Sequence, residues 1–276
     1  MKHEPVIVFG MHRSGTTLLV RLLEKFGFFM GHDQDPNAEA RFFMRLNHAM
    51  LKFAGARWDQ PDAFLQLLKD EALCEKLSEW LSSRLAGPDT RLYLNRMGWL
   101  RWRDVRNYPY PCGWKDPRNT LTLPIWMRLF PGARLIHIVR HGVDVAASLR
   151  VREQQLRKET LTHFPNHGTW RLTSPLCLEM EGGFRLWERY VEAGMDAIAV
   201  LPERQCLQLR YEDLLIAPEE QLERLRLFLD VETMPNIFGI SMNASRAYAF
   251  RHDPELQTFT ERIHSPWLAR FYPDAP

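Results

Sequence analysis

The sequence predicts an α/β fold in which a central parallel sheet is flanked by helices. Three observations predict it. Val6–Phe9 is a short, wholly apolar run, the pattern of a strand buried on both faces. A turn bounded by Gly10 and Gly15 follows, and leucines then recur at helical spacing from Thr16 to Lys25. The strand–turn–helix order returns at Arg134–Val139 with a helix from Val143 to about Gln155, and a third strand at Cys206–Leu209 precedes a helix over Pro218–Leu229.

A chain of 276 residues is ample for one such domain, and no Gly/Ser linker divides it. The reading is therefore one domain over 1–276, with insertions at about 42–112 and 151–181. A formal net charge of +2 gives no support to a nucleic-acid partner. No apolar run is long enough to span a bilayer, and Lys2-His3-Glu4 leads straight into the first strand without a signal-peptide core. Cys74, Cys112, Cys177 and Cys206 are scattered with no C-x-x-C pair, which argues against a zinc knuckle and fits reduced thiols. A cytoplasmic location is the expectation.

Along the chain, Phe26–Met30 reads as a second short strand, and Asn37 as the N-cap of a helix running from Ala38 to about Phe53. That places Glu39 in a first helical turn. His32, Asp33 and Asp35 could ligate a hard cation, but so short a cluster reads better as a solvated turn, and no metal is expected. Trp58–Ala86 reads as helical. Arg91–Pro111 interleaves tryptophan and arginine and is an open candidate for an acceptor platform. Pro124 suits the first turn of a helix over Leu121–Phe130, closed by Pro131-Gly132. His137, inside an apolar strand, reads as a packed residue. Leu156–Glu181, with Pro165, Asn166, His167, Gly168 and Pro175, reads as a lid or acceptor-binding loop. The tail after Asp230 looks irregular.

Chemistry concentrates where strands end. Backbone N–H groups of the first turn and the following helix dipole make an anion site. A triphosphate loop would read G-x-x-x-x-G-K-[ST], yet Thr16 stands where that lysine belongs, and Arg13-Ser14 lies inside the turn instead. The loop therefore suits an anion other than a magnesium triphosphate. Arg140 closes the second strand, and a guanidinium there suits bidentate binding of a phosphate. Lys115, in Trp114-Lys115-Asp116-Pro117, lies at another strand end; its alternative is a surface lysine beside a salt-bridging Asp116.

Arg13-Ser14-Gly15-Thr16-Thr17 resembles the 5′-phosphosulfate loop of sulfotransferases, which use 3′-phosphoadenosine 5′-phosphosulfate (PAPS). Arg140 with Ser148 resembles their 3′-phosphate motif. Trp114–Pro117, the Arg128–Ala133 segment and Arg210–Leu214 resemble further elements shared with protein-tyrosine sulfotransferases and related bacterial enzymes. The resemblance spans roughly Pro5 to Leu229.

It implies a three-layer, P-loop-like fold and in-line sulfuryl transfer from PAPS to a hydroxyl of a peptide, glycan, lipid or small molecule. It also implies a set of roles. Ser14, Gly15, Thr16 and Thr17 with Arg13 hold the 5′-phosphate, and Arg140 and Ser148 hold the 3′-phosphate. Tyr211 lines the nucleotide site. Lys115 and Arg13 stabilise charge on the bridging oxygen. Glu39, in a glutamate-x-arginine element Glu39-Ala40-Arg41, is the base, with His32 as runner-up on its ordinary pKa. Two other classes compete: a nucleotide kinase or triphosphatase, disfavoured by the missing lysine, and a non-catalytic nucleotide-binding module. Oligomeric state is not legible.

Overall fold

In the computed structural model, described over residues 4–163 and 173–274, four parallel strands stand in the order β2-β1-β3-β4. The chain runs β1 (Val6–Phe9), α1 (Thr16–Lys25), α2 (Arg41–Phe53), α3 (Asp62–Leu67), α4 (Glu71–Leu85), α5 (Arg91–Trp102), β2 (Gly113–Lys115), α6 (Asn119–Leu129) and β3 (Arg134–Val139). It continues through α7 (Gly142–His163), α8 (Met180–Ala199), β4 (Cys206–Arg210), α9 (Tyr211–Ile216), α10 (Pro218–Leu229), α11 (Pro254–Arg262) and α12 (Pro266–Phe271).

β1 is fully buried because the sheet is covered on both faces. Ile7 and Phe9 join the core beneath α2, α6 and α8, while Val6 and Val8 join the core beneath α1, α9 and α10. Each such side chain stabilises the fold by about 1.5–3 kcal/mol relative to exposure. Val6 pairs with Gly113 on one side and Arg134 on the other, so β1, β2 and β3 start level and run the same way, with β3 reaching furthest. This register brings the first turn, Lys115 and Arg140 to one edge, the carboxyl ends where open α/β sheets bind ligands.

Several elements differ from the sequence reading. Phe26–Met30 is not a strand. The N–H groups of Phe26, Gly27 and Phe28 close the end of α1 on Leu22, Glu24 and Leu23 carbonyls, and only Phe29 bridges to Cys112. The helix after it starts at Arg41 rather than Ala38. One carboxylate oxygen of Asp35 accepts the N–H groups of both Asn37 and Glu39, at 2.9 and 2.8 Å, and this Asx turn holds Ala38 at φ 60 outside helical geometry. Glu39 thus lies in a loop before the helix. β2 is an edge strand of three residues, too short for a periodicity to show.

The segment expected as one helix over Trp58–Ala86 splits into α3 and α4, the second capped by Asp70 accepting from Leu73 N–H. Arg91–Trp102 is helical, with a break at Asn95 (φ 62). Pro124 sits inside α6 rather than in its first turn. α7 extends to His163, beyond Gln155, so the front of the expected lid is helical; Pro165, Asn166, His167 and Gly168 lie outside the described residues. The tail after Asp230 carries α11 and α12. His137 is packed, stacked on Phe9 at 4.6 Å with its pKa pushed down to about 3 by burial.

Candidate active site

At the sheet edge a cavity of about 830 Å³ is bordered by His12, Arg13, Gly15, Thr16 and Thr17 from the first turn, by Asn37 and Glu39, by Lys115 and by Arg140 and Tyr211. The turn owes its shape to residues that tolerate it. Gly15 has φ +89, and a Cβ there would meet the Tyr211 ring at 2.1 Å, so only glycine allows the tyrosine to lie against the loop. Arg13 is itself left-handed at φ 71, an uncommon conformation for a non-glycine residue.

Charge in the cavity is one-sided. Arg13, Arg21, Lys25, Lys115, Arg140, Arg152 and Arg246 face Glu24 and Glu39. Desolvation, then the neighbouring Arg152, Arg246 and Arg140, lower the pKa of Arg13. Arg140 stacks over Tyr211 at 4.9 Å and donates to the carbonyls of Arg13 and Arg246, both at 3.3 Å. Its Nε is buried without a hydrogen-bond partner, and so is Ser14 Oγ. Cations crowded around unsatisfied donors are the donor set an anion with several phosphate oxygens requires.

Lys115 is 1% exposed, which removes the surface-lysine alternative, and Asp116 pairs instead with Arg118 at 2.8 Å. The Lys115 ammonium donates to the Asn37 carbonyl at 2.6 Å and to Glu39 Oε1 at 3.3 Å. Thr17 Oγ1 donates to that same carbonyl at 2.8 Å, tying the first turn and its helix to the buried lysine. Glu39, 6% exposed, also pairs through Oε2 with Arg118 at 3.0 Å. Burial, and then the charge of Asp116, raise the Glu39 pKa to about 7 against the opposing pull of Lys115 and Arg118.

The support beneath this cluster was not visible in the sequence. Asn47 on α2 is fully buried and donates to Asp116 Oδ2 at 3.0 Å and to Asn119 Oδ1 at 2.8 Å. Its carbonyl oxygen accepts from Thr122 and Trp126, both at 2.8 Å. Asn119 reaches the β1 backbone at Val8 O. One amide thereby locks α2, β2 and α6 together and fixes Asp116, which orients Arg118, which holds Glu39.

Ser148 Oγ accepts from Arg13 Nε at 2.8 Å, so the structure joins these two residues directly, and the hydroxyl proton stays free to be donated. His32 is exposed and does not border the cavity. Asp33 accepts from Arg41 Nε at 3.0 Å, and Asp35 shapes the turn before Glu39, so the three-residue cluster has structural partners. The Trp/Arg-rich segment is also absent from the cavity wall: Arg103 packs over Trp99, Arg101 over Trp102, and Arg106 pairs with Asp104.

The sequence of residues 5–235 matches the family model described as the sulfotransferase family. The chain belongs to that family. No curated protein sequence matches it. Among solved structures, a sulfotransferase from Alicyclobacillus acidocaldarius is similar at TM-score 0.54 and 16% identity, covering 98% of this chain and 94% of that one. It shares the central parallel sheet and flanking helices. A sulfotransferase domain from the curacin biosynthetic pathway (TM-score 0.48, 16% identity, 96% and 93% covered) also matches. So does one from the Synechococcus PCC 7002 olefin synthase (0.46, 20%, 96% and 91%).

In this sulfotransferase, Arg152, Arg246 and His12 are cavity residues that sequence reasoning passed over. Arg246 stood in an apparently irregular tail, and Arg152 lay one turn beyond the recognised Ser148 on the same helix. Among the described residues no helix is long and apolar enough to cross a membrane.

Proposed function

We propose that the protein transfers a sulfuryl group from PAPS to a hydroxyl acceptor and that 1–276 acts as one catalytic domain. The observation that carries this reading is the Thr17–Asn37–Lys115–Glu39 chain of hydrogen bonds, which sets a buried cation and a carboxylate beside an anion-binding turn. The residues fit the donor. Backbone N–H groups at Gly15–Thr17 and the unpartnered Ser14 hydroxyl would hold the 5′-phosphate, and Arg140 with Ser148 the 3′-phosphate. Arg246 adds a further cation to this set, and Tyr211 forms a wall of the nucleotide site.

When bound, PAPS supplies the sulfur: the acceptor oxygen–sulfur bond forms as the sulfur–oxygen bond to the 5′-phosphate breaks, and the electron pair stays on the phosphate oxygen. The protein's part is positioning and charge stabilisation. Lys115, already satisfied by a neutral carbonyl, meets the charge that develops on that oxygen, and Arg13 adds to it. Glu39 takes the acceptor's proton. Its pKa of about 7 places its ionisation near neutral pH, where a general base is most effective. These cations supply the charge that a kinase draws from magnesium.

The acceptor class is open to direct measurement. Transfer of radiolabelled sulfate from PAPS to a panel of peptide, glycan, lipid and phenol acceptors, in excess EDTA, should yield a labelled product. Magnesium-dependent ATP turnover with no sulfate transfer would replace this reading with a kinase. Tight binding of 3′-phosphoadenosine 5′-phosphate with no transfer to any hydroxyl would reduce it to a binding module.

A further inference from the structure

Among the cavity residues to which the mechanism above gives no role, one carries a buried, unsatisfied titratable atom. His12, in the first turn, borders the same space as Lys115 and Glu39. Its Nε2 is enclosed and has no hydrogen-bond partner. An unsatisfied buried nitrogen of this kind costs about 1–3 kcal/mol, so a native fold keeps it only for a reason. The protein side of the ring is walled by aromatic faces. Trp58 lies edge-on at 4.7 Å and Tyr190 at 6.2 Å, and the Tyr190 hydroxyl is fixed by the Trp58 carbonyl at 2.8 Å. A partner for the imidazole therefore comes from the cavity.

The electrostatic surroundings separate His12 from its neighbour in sequence. Arg13 is influenced by Arg152, Arg246, Arg140 and Tyr211, the groups around the nucleotide. His12 is influenced by Arg118, Arg152, Lys115 and Arg13, and the first and third of these are the partners of Glu39. Two adjacent residues of one turn thus point to two halves of the site. We propose that the imidazole of His12 donates a hydrogen bond to the attacking hydroxyl of the acceptor and holds its oxygen while Glu39 takes the proton.

This inference rests on the sulfotransferase reading. The cations around the ring support a neutral imidazole: Arg13 from the turn, Lys115 and Arg118 from β2 and the turn after it, and Arg152 from α7, with the Glu39 carboxylate of the same cavity as the opposing charge and Tyr190 from α8 behind. Burial first, and then these four cations, lower its pKa well below the usual value. A neutral imidazole offers one N–H and carries no charge that would quench the nucleophile.

Two measurements test it. In protein carrying isotope-labelled histidine, with His12 assigned through His12→Gln, the free protein should keep His12 neutral well below the pH at which an ordinary histidine takes up its proton. Adding 3′-phosphoadenosine 5′-phosphate should move its midpoint upward, because the nucleotide offsets the charge of Arg13 and Lys115. A nucleotide that perturbs no resonance would refute the sulfotransferase reading itself. A nucleotide that perturbs His141, next to Arg140, while leaving His12 unmoved would overturn only the placement of His12.

The second measurement follows hydrolysis of PAPS, with water as the attacking hydroxyl. His12→Phe keeps the aromatic packing and should lower turnover by about tenfold or more, with the donor KM held within about twofold. His12→Gln, which keeps an N–H donor, should recover a substantial part of the loss. Should His12→Phe fail to fold, His12→Leu against His12→Gln supplies the same contrast. Wild-type turnover in the phenylalanine variant, or equal loss in both variants at unchanged melting temperature, would overturn the proposal.

Discussion

Replacing Glu39 by glutamine removes one proton acceptor and almost no volume. Both cations that grip the carboxylate keep other partners: Lys115 retains the Asn37 carbonyl, and Arg118 retains Asp116. The loss of stability should then fall to about 1–3 kcal/mol, the range for a lost buried hydrogen bond, rather than the larger cost of stranding a charge. Nucleotide affinity should hold or rise, since a negative charge leaves a cation-lined cavity. Turnover should fall by about 10²–10⁴, the usual worth of a positioned base.

The pH dependence follows from the raised pKa of about 7. The ionised, working form is about nine-tenths populated one unit above that value and about one-tenth one unit below it. Wild-type kcat/KM should accordingly decline about tenfold per unit on the acid side, and Glu39→Gln should lose that limb. An activated phenol such as 4-nitrophenol, already acidic, should be less affected than an alcohol. Radiolabelled sulfate transfer across pH 5.5–9 reads all of this. A glutamine variant with wild-type turnover and an intact acid limb would refute the assignment.

Lys115→Ala should lower turnover by about 10²–10³ while calorimetry finds nucleotide binding intact, because the lysine acts on charge that develops only as the bond breaks. Arg140→Ala should erase most of the preference for 3′-phosphoadenosine 5′-phosphate over AMP, a difference of about 1.5–3 kcal/mol measurable by titration calorimetry. Asn47→Ala, outside the cavity wall, should destabilise the protein by about 2–4 kcal/mol in chemical denaturation, since it takes a donor from each of Asp116 and Asn119 and leaves the buried Trp126 N–H without its acceptor, while Thr122 falls back on the Arg118 carbonyl. Acid should weaken the fold: His137, held near pKa 3, stays neutral when folded but binds a proton when unfolded below about pH 6.5, so stability falls as pH drops through that window.

What the sequence made legible was local. The anion turn, Lys115 and Arg140 each belong to a short run whose residue types declare a strand end and a charge, and the sheet register then brings them together. Glu39 was singled out by residue type and does border the cavity, but its conformation was not legible, because the Asx turn at Asp35 competes with the helix that its neighbours favour. Asn47 was invisible: its partners lie 69 to 79 residues away, and an asparagine in a helix carries no mark of what it will touch. Arg246 and Arg152 were hidden for the same reason, since cations reach the cavity from elements with no motif of their own.

The Asn37 carbonyl, which accepts from both Thr17 and Lys115, is one main-chain oxygen shared by two donors that border the cavity. A buried ammonium needs an acceptor between turnovers, and a carboxylate alone would hold it with a charge-assisted bond about twice as strong as a neutral one. An amide oxygen holds it well enough to keep it in place and yields it readily to an oxygen bearing charge. Because the Thr17 hydroxyl leans on the same atom, the two donors compete for its electron density, and each is held less tightly than it would be alone. The first turn and the buried lysine are thus coupled through a single amide oxygen, so a change at either donor is felt by the other.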